Sequence, residues 1–144
     1  MADVSKTVLV PYSARQMFDL VNNCEDYPAF LPWCAGGRIL EQNGNTMSAE
    51  LLIDFKGIKQ SFSTQNVNQP GERIEMRLLE GPFKSLEGLW LFTPLAQDAC
   101  KVEFRLEYHF KSGLLEKVVG PVFAHITSTF VEAFVQRAEA VYAD

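Results

Sequence analysis

The side chains that most often carry chemistry are sparse in this sequence. It contains two histidines, His109 and His125, and neither has a cysteine or carboxylate at metal-ligand spacing. A zinc site is therefore not expected, and both histidines are assigned to the surface. His125 follows Pro121 by four residues on a predicted helix, so contact with the polar end of a ligand stays open as a minor alternative.

Sequence signals for enzymatic catalysis are also missing. Neither a GxSxG nucleophile motif nor a glycine-rich phosphate loop occurs. Glu103 and Glu107 lie on the charged face of a predicted strand, where water would solvate them, whereas acid–base catalysis needs a perturbed carboxylate in a pocket. We expect a protein that is not an enzyme and has no metal or resident cofactor. An enzyme acting on an aromatic polyketide is a weaker alternative, and it would need a polar group deep in a cavity.

The aromatic content is the unusual feature of the composition. Eleven Phe, four Tyr and two Trp give an aromatic share of 12%. Rings of this size fill a core or line a cavity for an apolar ligand, and for any single ring the core is the more common use. The net charge of -5 is spread without a basic stripe, so no DNA binding is expected.

The length and the terminal residues bear on organisation and location. At 144 residues the chain is predicted to form one domain, residues 1–144. Three cysteines without a CxxC pair are typical of a reducing compartment. The first residues, MADVSK, resemble no targeting signal, and no apolar run approaches about 18 residues. The predicted location is the cytoplasm, with peripheral contact at the inner membrane left open.

Periodicity predicts the elements that would position any site. A β-branched run predicts a strand over 3–10, and Ser13 with Gln16 has capping-box spacing for a helix over 13–22. Prolines limit the next segment to a short helical turn around 25–30. From residue 37 the period is two, and turn signals divide the region into six strands, predicted over 37–43, 46–56, 58–67, 72–80, 84–93 and 100–110.

Two turns and one long helix complete the prediction. Asn43-Gly44 predicts a type I′ hairpin, and the segment 69–72, Gln-Pro-Gly-Glu, predicts a type II turn. After Gly113 the apolar period becomes 3.6 over roughly 30 residues. Gly120-Pro121 predicts a kink or a break in this helix. A curved antiparallel sheet covered by one long helix should leave a cavity between them.

Four segments carry a family resemblance: residues 27–34 (YPAFLPWC), 55–58 (FKGI), 81–83 (GPF) and 110–115 (FKSGLL). They resemble the coenzyme Q-binding protein and ribosome association toxin family, a branch of the START-like, polyketide cyclase/dehydrase superfamily. The resemblance implies an α+β helix-grip fold, in which a seven-stranded antiparallel sheet wraps around the C-terminal helix. It also implies a hydrophobic tunnel between sheet and helix.

Two functions are implied by this resemblance. The first is non-enzymatic binding of ubiquinone or another polyprenyl lipid in support of respiratory electron transport, and such a lipid would be a ligand, not a cofactor. The alternative is a toxin that binds the ribosome and blocks subunit joining. Candidate ligand-binding residues are aromatic or aliphatic side chains near the expected tunnel: Phe30, Leu31, Trp33, Phe62, Phe83, Trp90, Tyr108, Phe110, Leu115, Val119, Val122, Phe123 and Ile126.

Overall fold

A computed structural model describes residues 2–142 and shows one antiparallel sheet with helices on its concave side. The strand order across the sheet is β1-β7-β6-β5-β4-β3-β2. The elements in chain order are β1 (Ala2–Val10), α1 (Ala14–Asn22), a 3₁₀ helix (Cys24–Ala29), β2 (Cys34–Asn43), β3 (Thr46–Phe55), β4 (Ile58–Gln69), β5 (Arg73–Glu80), β6 (Phe83–Ala96), β7 (Ala99–Phe110) and α2 (Gly113–Tyr142). This is the predicted helix-grip architecture, with strand ends shifted by up to three residues.

Strand β7 shows why the sheet has one apolar face. Its buried and more exposed residues alternate, because successive side chains of a strand point to opposite faces. The buried set faces the helices, and β1 and β6 pair with β7 along most of its length. The inward residues are Cys100, Val102, Phe104, Leu106 and Tyr108, none more than 5% exposed.

The two short helices are fixed by local hydrogen bonds. Ser13 Oγ accepts from the backbone N–H of Gln16, and Gln16 Oε1 accepts from the N–H of Ser13, which confirms the predicted capping box. The Tyr27 hydroxyl of the 3₁₀ helix donates to the Val21 carbonyl. A Cβ at Gly37 would lie 2.1 Å from the Cys24 carbonyl oxygen, so glycine permits the contact between the 3₁₀ helix and β2.

The types of two hairpin turns can be read from the residues that have positive φ. The predicted type II turn at 69–72 is confirmed, with Gly71 at φ 74° and a hydrogen bond from Glu72 N–H to the Gln69 carbonyl. The predicted type I′ turn at Asn43-Gly44 is wrong in type and register. Gly44 is the first of two central residues and has φ 65°, while Asn45 has no positive φ, the pattern of a type II′ turn.

Helix α2 runs unbroken from Gly113 to Tyr142. Of the predicted kink or break at Gly120-Pro121, the break does not occur, and the kink stays a prediction. Val119 and Phe123 are buried on either side of Pro121, and this packing holds the turn in helical form. The carbonyl of exposed Lys117, which loses its partner at the proline, can bind water instead.

The same helix is long and apolar enough to cross a membrane by length and composition. Core helices of soluble proteins pass the same test, and one third of the most apolar window of α2 is buried against the rest of the chain.

Candidate functional site

A cavity of about 80 Å³ lies between the inner face of the sheet and α2. It is smaller than the roughly 300–1,000 Å³ of typical small-molecule sites, because aromatic rings occupy much of the space. Phe130 is central among them, with its ring centroid 5.9 Å from that of Trp33, 5.7 Å from Trp90 and 5.6 Å from Phe104. The position of the Phe130 ring therefore controls how much of the volume is open.

Strand β4 brings polar groups to this otherwise apolar lining. Thr64 and Asn66 lie on its inward face, and the Thr64 hydroxyl donates to Asn66 Oδ1 over 2.8 Å. Asn68, two residues on, donates through Nδ2 to Oδ1 of Asn22 over 3.0 Å and joins β4 to α1. Asn68 Oδ1 has no donor among residues 2–142, so protein groups satisfy this polar row only partly.

The lining described by the structure carries no charged side chain. Its titratable groups are a thiol and a phenol, Cys24 and Tyr27. Burial, with a smaller contribution from Glu25, raises the pKa of Cys24 to about 11. Burial also raises the pKa of Tyr27 well above its ordinary value. Both groups are therefore neutral at physiological pH, and the cavity suits an uncharged ligand.

The structure brings five of the thirteen candidate residues to the cavity, drawn from the β2 start, β4, β6 and α2. They are Trp33, Phe62, Trp90, Phe123 and Ile126. Phe123 and Ile126 lie three residues apart on one face of α2, and the fold brings the other three to them from distant positions in the chain. Their role in ligand binding stays a prediction.

The other eight candidates lie outside the cavity lining. Phe30 and Leu31 follow the 3₁₀ helix, where Phe30 packs edge-on against Phe134. A second cluster forms where β6 and β7 meet α2, with the Phe83 and Phe123 centroids 4.9 Å apart. The remaining six in and around that cluster are Phe83, Tyr108, Phe110, Leu115, Val119 and Val122.

The sequence reasoning missed the polar part of the lining. Phe62 was a candidate, and the period of two places Thr64 and Asn66 on the same face of β4, so this signal was present in the sequence. The sequence reasoning also missed the lining residues of β3, Met47, Ala49 and Leu51. Their position opposite Phe62, Thr64 and Asn66 depends on strand register, in which Ala49 pairs with Thr64 and Met47 with Asn66.

The rim of the cavity is more loosely closed on one side of the sheet. The backbone of α2 lies close to β7, β1 and α1. Towards β3 and β4, ring contacts bridge the gap: Phe55 stacks on His125 at 5.3 Å, and Phe62 meets Phe123 edge-on at 6.0 Å. Side-chain rotation at these pairs would open a route between α2 and the β3–β4 hairpin.

Comparison with known families agrees with this geometry. Residues 10–135 match the model of the family described as polyketide cyclase / dehydrase and lipid transport. The chain belongs to this family. The match spans the sheet from the end of β1 and most of α2, the elements that enclose the cavity.

Curated relatives divide between the two predicted functions. The ribosome association toxin RatA of Vibrio cholerae is 47% identical over 144 residues, with 100% of both chains covered. The mitochondrial coenzyme Q-binding protein COQ10 homolog B of Xenopus laevis is 26% identical over 97% of this chain and 59% of its own length. The resemblance inferred from the four sequence segments is thereby confirmed.

Solved structures confirm the fold. The solution structure of the 18 kDa protein CC1736 from Caulobacter crescentus is 32% identical, with 100% of both chains covered and a TM-score of 0.76. The Zhui aromatase/cyclase from Streptomyces sp. R1128 has a TM-score of 0.83 over 96% of this chain and 93% of its own, at 17% identity. At that identity the second likeness concerns the fold alone.

Proposed function

We propose that this chain is a non-enzymatic binding protein that holds a neutral apolar ligand between its sheet and α2. The observation that carries the proposal is the uncharged, largely apolar cavity beneath the helix. A polyprenyl quinone or a similar lipid is the ligand that we favour, as cargo and not as a resident cofactor. Aromatic rings such as Trp90 offer a surface on which a quinone ring can stack.

A prenyl tail would supply most of the affinity. Each buried methylene contributes about 0.8 kcal/mol, so two isoprene units could supply several kcal/mol before ordering costs. The present volume is too small for such a ligand, so binding requires Phe123 and Phe130 to move aside. The ring pairs between α2 and the β3–β4 hairpin are the contacts that entry would separate.

Lipid extraction tests this proposal directly. Protein purified without detergent is extracted with organic solvent, the extract is analysed by mass spectrometry, and the emptied protein is titrated with short-tailed ubiquinone. The variant Ala49→Leu adds volume inside the lining and should reduce binding at least tenfold. Ala124→Leu adds the same volume on the exposed side of α2 and should bind like the unaltered chain. Empty extracts together with absent titration would exclude the proposal.

Phe130→Ala provides a change in the opposite direction. Removing the central ring enlarges the cavity, so we expect ubiquinone to bind more tightly even though the free protein loses stability. Weaker ubiquinone binding in a folded Phe130→Ala variant would show that the ring contributes contacts, not obstruction. Folding is checked by circular dichroism before the titration.

A second candidate function is association with the ribosome and interference with subunit joining. The observation that favours it is the difference in identity: 47% over 144 residues to a ribosome association toxin, against 26% to a coenzyme Q-binding protein. This function would place the chain in the cytoplasm. The net charge of -5 favours contact with a ribosomal protein over contact with the rRNA backbone.

Sucrose-gradient profiles test the second function. Expression of the chain in a bacterial host should raise free subunits at the expense of whole ribosomes, and an unchanged profile would remove this function. Ala49→Leu then separates the two roles. If the variant no longer binds ubiquinone but still shifts the profile, the ribosome contact does not need the cavity.

A further inference from the structure

The indole nitrogen of Trp33 is a buried donor without a protein partner. Trp33 is 3% exposed and belongs to the cavity lining. Among residues 2–142, its Nε1–H makes no hydrogen bond. A buried indole N–H normally has a partner, because its hydrogen bond to water is lost when the residue is buried. Because Trp33 belongs to the cavity lining, a ligand in the cavity is the natural source of the missing acceptor.

The local structure holds Trp33 firmly in place. Its carbonyl accepts from the backbone N–H of Asp54 on β3 over 2.9 Å. The N–H of the next residue, Cys34, donates to the Leu31 carbonyl over 3.0 Å, so the backbone on both sides of Trp33 is fixed. A fixed donor is a better recognition group than a mobile one, since less conformational freedom is lost when its hydrogen bond forms.

The polar pair on β4 adds donors to the same lining. Asn66 Oδ1 accepts one hydrogen bond from the Thr64 hydroxyl, and Asn66 Nδ2 adds two N–H donors to the lining. An indole N–H likewise can donate but cannot accept. No cationic side chain lies in the described lining to neutralise an acid. The polar complement of this cavity therefore fits an uncharged oxygen that accepts hydrogen bonds.

We propose that Trp33 is a specificity-determining residue, whose Nε1–H donates to a carbonyl oxygen of a neutral aromatic or prenylated ligand. The cavity selects such ligands over hydrocarbons through this donor, and over carboxylic acids because it offers no counter-charge. This inference rests on the proposed function, since it assigns the recognition group of the same cavity.

Three single-ring probes, which need less widening of the cavity than a prenylated quinone, test the assignment. Acetophenone and ethylbenzene have nearly the same shape and differ in the carbonyl oxygen, while benzoate carries a charge. Binding is measured by NMR titration of the ¹⁵N-labelled protein. With two tryptophans in the chain, two indole N–H signals are expected, and Trp33→Phe and Trp90→Phe assign them.

We expect acetophenone to bind roughly three- to tenfold more tightly than ethylbenzene, the effect of one net hydrogen bond, and benzoate not to bind. The Trp33 indole proton should move downfield with acetophenone and not with ethylbenzene. Trp33→Phe should abolish the preference for acetophenone, whereas Trp90→Phe should keep it, whatever happens to the overall affinity.

The failure of this inference differs from the failure of the proposed function. If acetophenone and ethylbenzene bind equally and the Trp33 proton does not move, the cavity binds ligands but Trp33 does not recognise them. If neither probe binds, the cavity itself is not a binding site. The indole shift is measured on the unaltered chain, so it decides the question even if Trp33→Phe does not fold.

Discussion

The inner faces of β7 and β4 show how one sheet serves two purposes. Every inward residue of β7 from Cys100 to Tyr108 is apolar or a buried aromatic, and none is more than 5% exposed. The inward face of β4 after Phe62 is also buried, at most 9% exposed, but carries a threonine and two asparagines. Both strands alternate with period two, so the difference lies in the chemistry of the buried side chains.

This difference separates stability from recognition. The backbone of α2 lies close to β7, where Cys100, Val102 and Tyr108 pack outside the cavity lining. Phe104 and Leu106 of β7 supply apolar surface to the cavity, whereas Thr64 and Asn66 of β4 supply polar groups to it. Buried amides and hydroxyls cost free energy unless they are hydrogen-bonded, and here they are only partly paired within the protein. Keeping Thr64 and Asn66 buried therefore lowers the stability of the fold, but it places polar groups inside the cavity.

The largest expected loss of stability comes from a substitution on the inward face of β7. Phe104→Ala removes a ring that is 1% exposed and lies 4.5 Å from the Trp90 ring centroid, and it should lower the free energy of unfolding by about 3–5 kcal/mol. Urea denaturation followed by circular dichroism measures the loss. Leu9→Ala, at a residue 70% exposed, is the control and should stay within about 0.5 kcal/mol.

The second prediction tests the wall where the 3₁₀ helix meets β2. Gly37→Ala would place a Cβ against the Cys24 carbonyl, so the backbone must shift, and we expect a loss of about 1–3 kcal/mol. Gly113→Ala is the matched control, because a Cβ there meets no atom within 4 Å. Equal thermal melting temperatures for the two variants would contradict the close approach.

The third prediction concerns the polar pair of β4. Thr64→Val leaves Asn66 Oδ1 without its donor and should cost about 1 kcal/mol in urea denaturation. Adding Asn66→Leu removes the other partner, and the double variant should recover part or all of the loss. If the double variant is less stable than Thr64→Val alone, Asn66 stabilises the core by its packing, as the inward residues of β7 do.

The smallest effect is a pH dependence from the neutral thiol beside the cavity. Burial raises the pKa of Cys24 from 9.0 to about 11, so the folded protein keeps this proton at pH values where the unfolded chain loses it. Stability should therefore be constant below pH 9 and fall as the pH rises from 9 to 11. Urea denaturation at several pH values should show a shallower fall for Cys24→Ala, and an identical slope would rule out this source.

Much of the fold could be predicted from local patterns. The alternation of β7, the capping box at Ser13 and the type II turn at 69–72 each depend on residues within one element. Of the kink or break predicted at Pro121, the break does not occur, because packing on both sides of the proline outweighs its local preference. The register of the first hairpin was wrong by one residue, since turn type is decided jointly with the strand pairing.

The candidate site was harder to predict for a related reason. Aromatic content pointed to an apolar cavity, but which rings line it and which pack elsewhere depends on how seven strands curve beneath α2. Phe83 and Tyr108 were chosen with the same reasoning as Trp90, yet they join the cluster at the end of the sheet. Their chemical type is the same, and only their position along the strand differs.

By itself, the sequence determined the elements, their apolar faces and the family, because these depend on spacing within short segments. Only the tertiary structure decided that the cavity is small, that Phe130 is among the rings lining it and that the Trp33 indole N–H has no partner among residues 2–142. Those properties arise from contacts between residues far apart in the chain, and the geometry of such contacts exists only once the sheet and the helix have packed together.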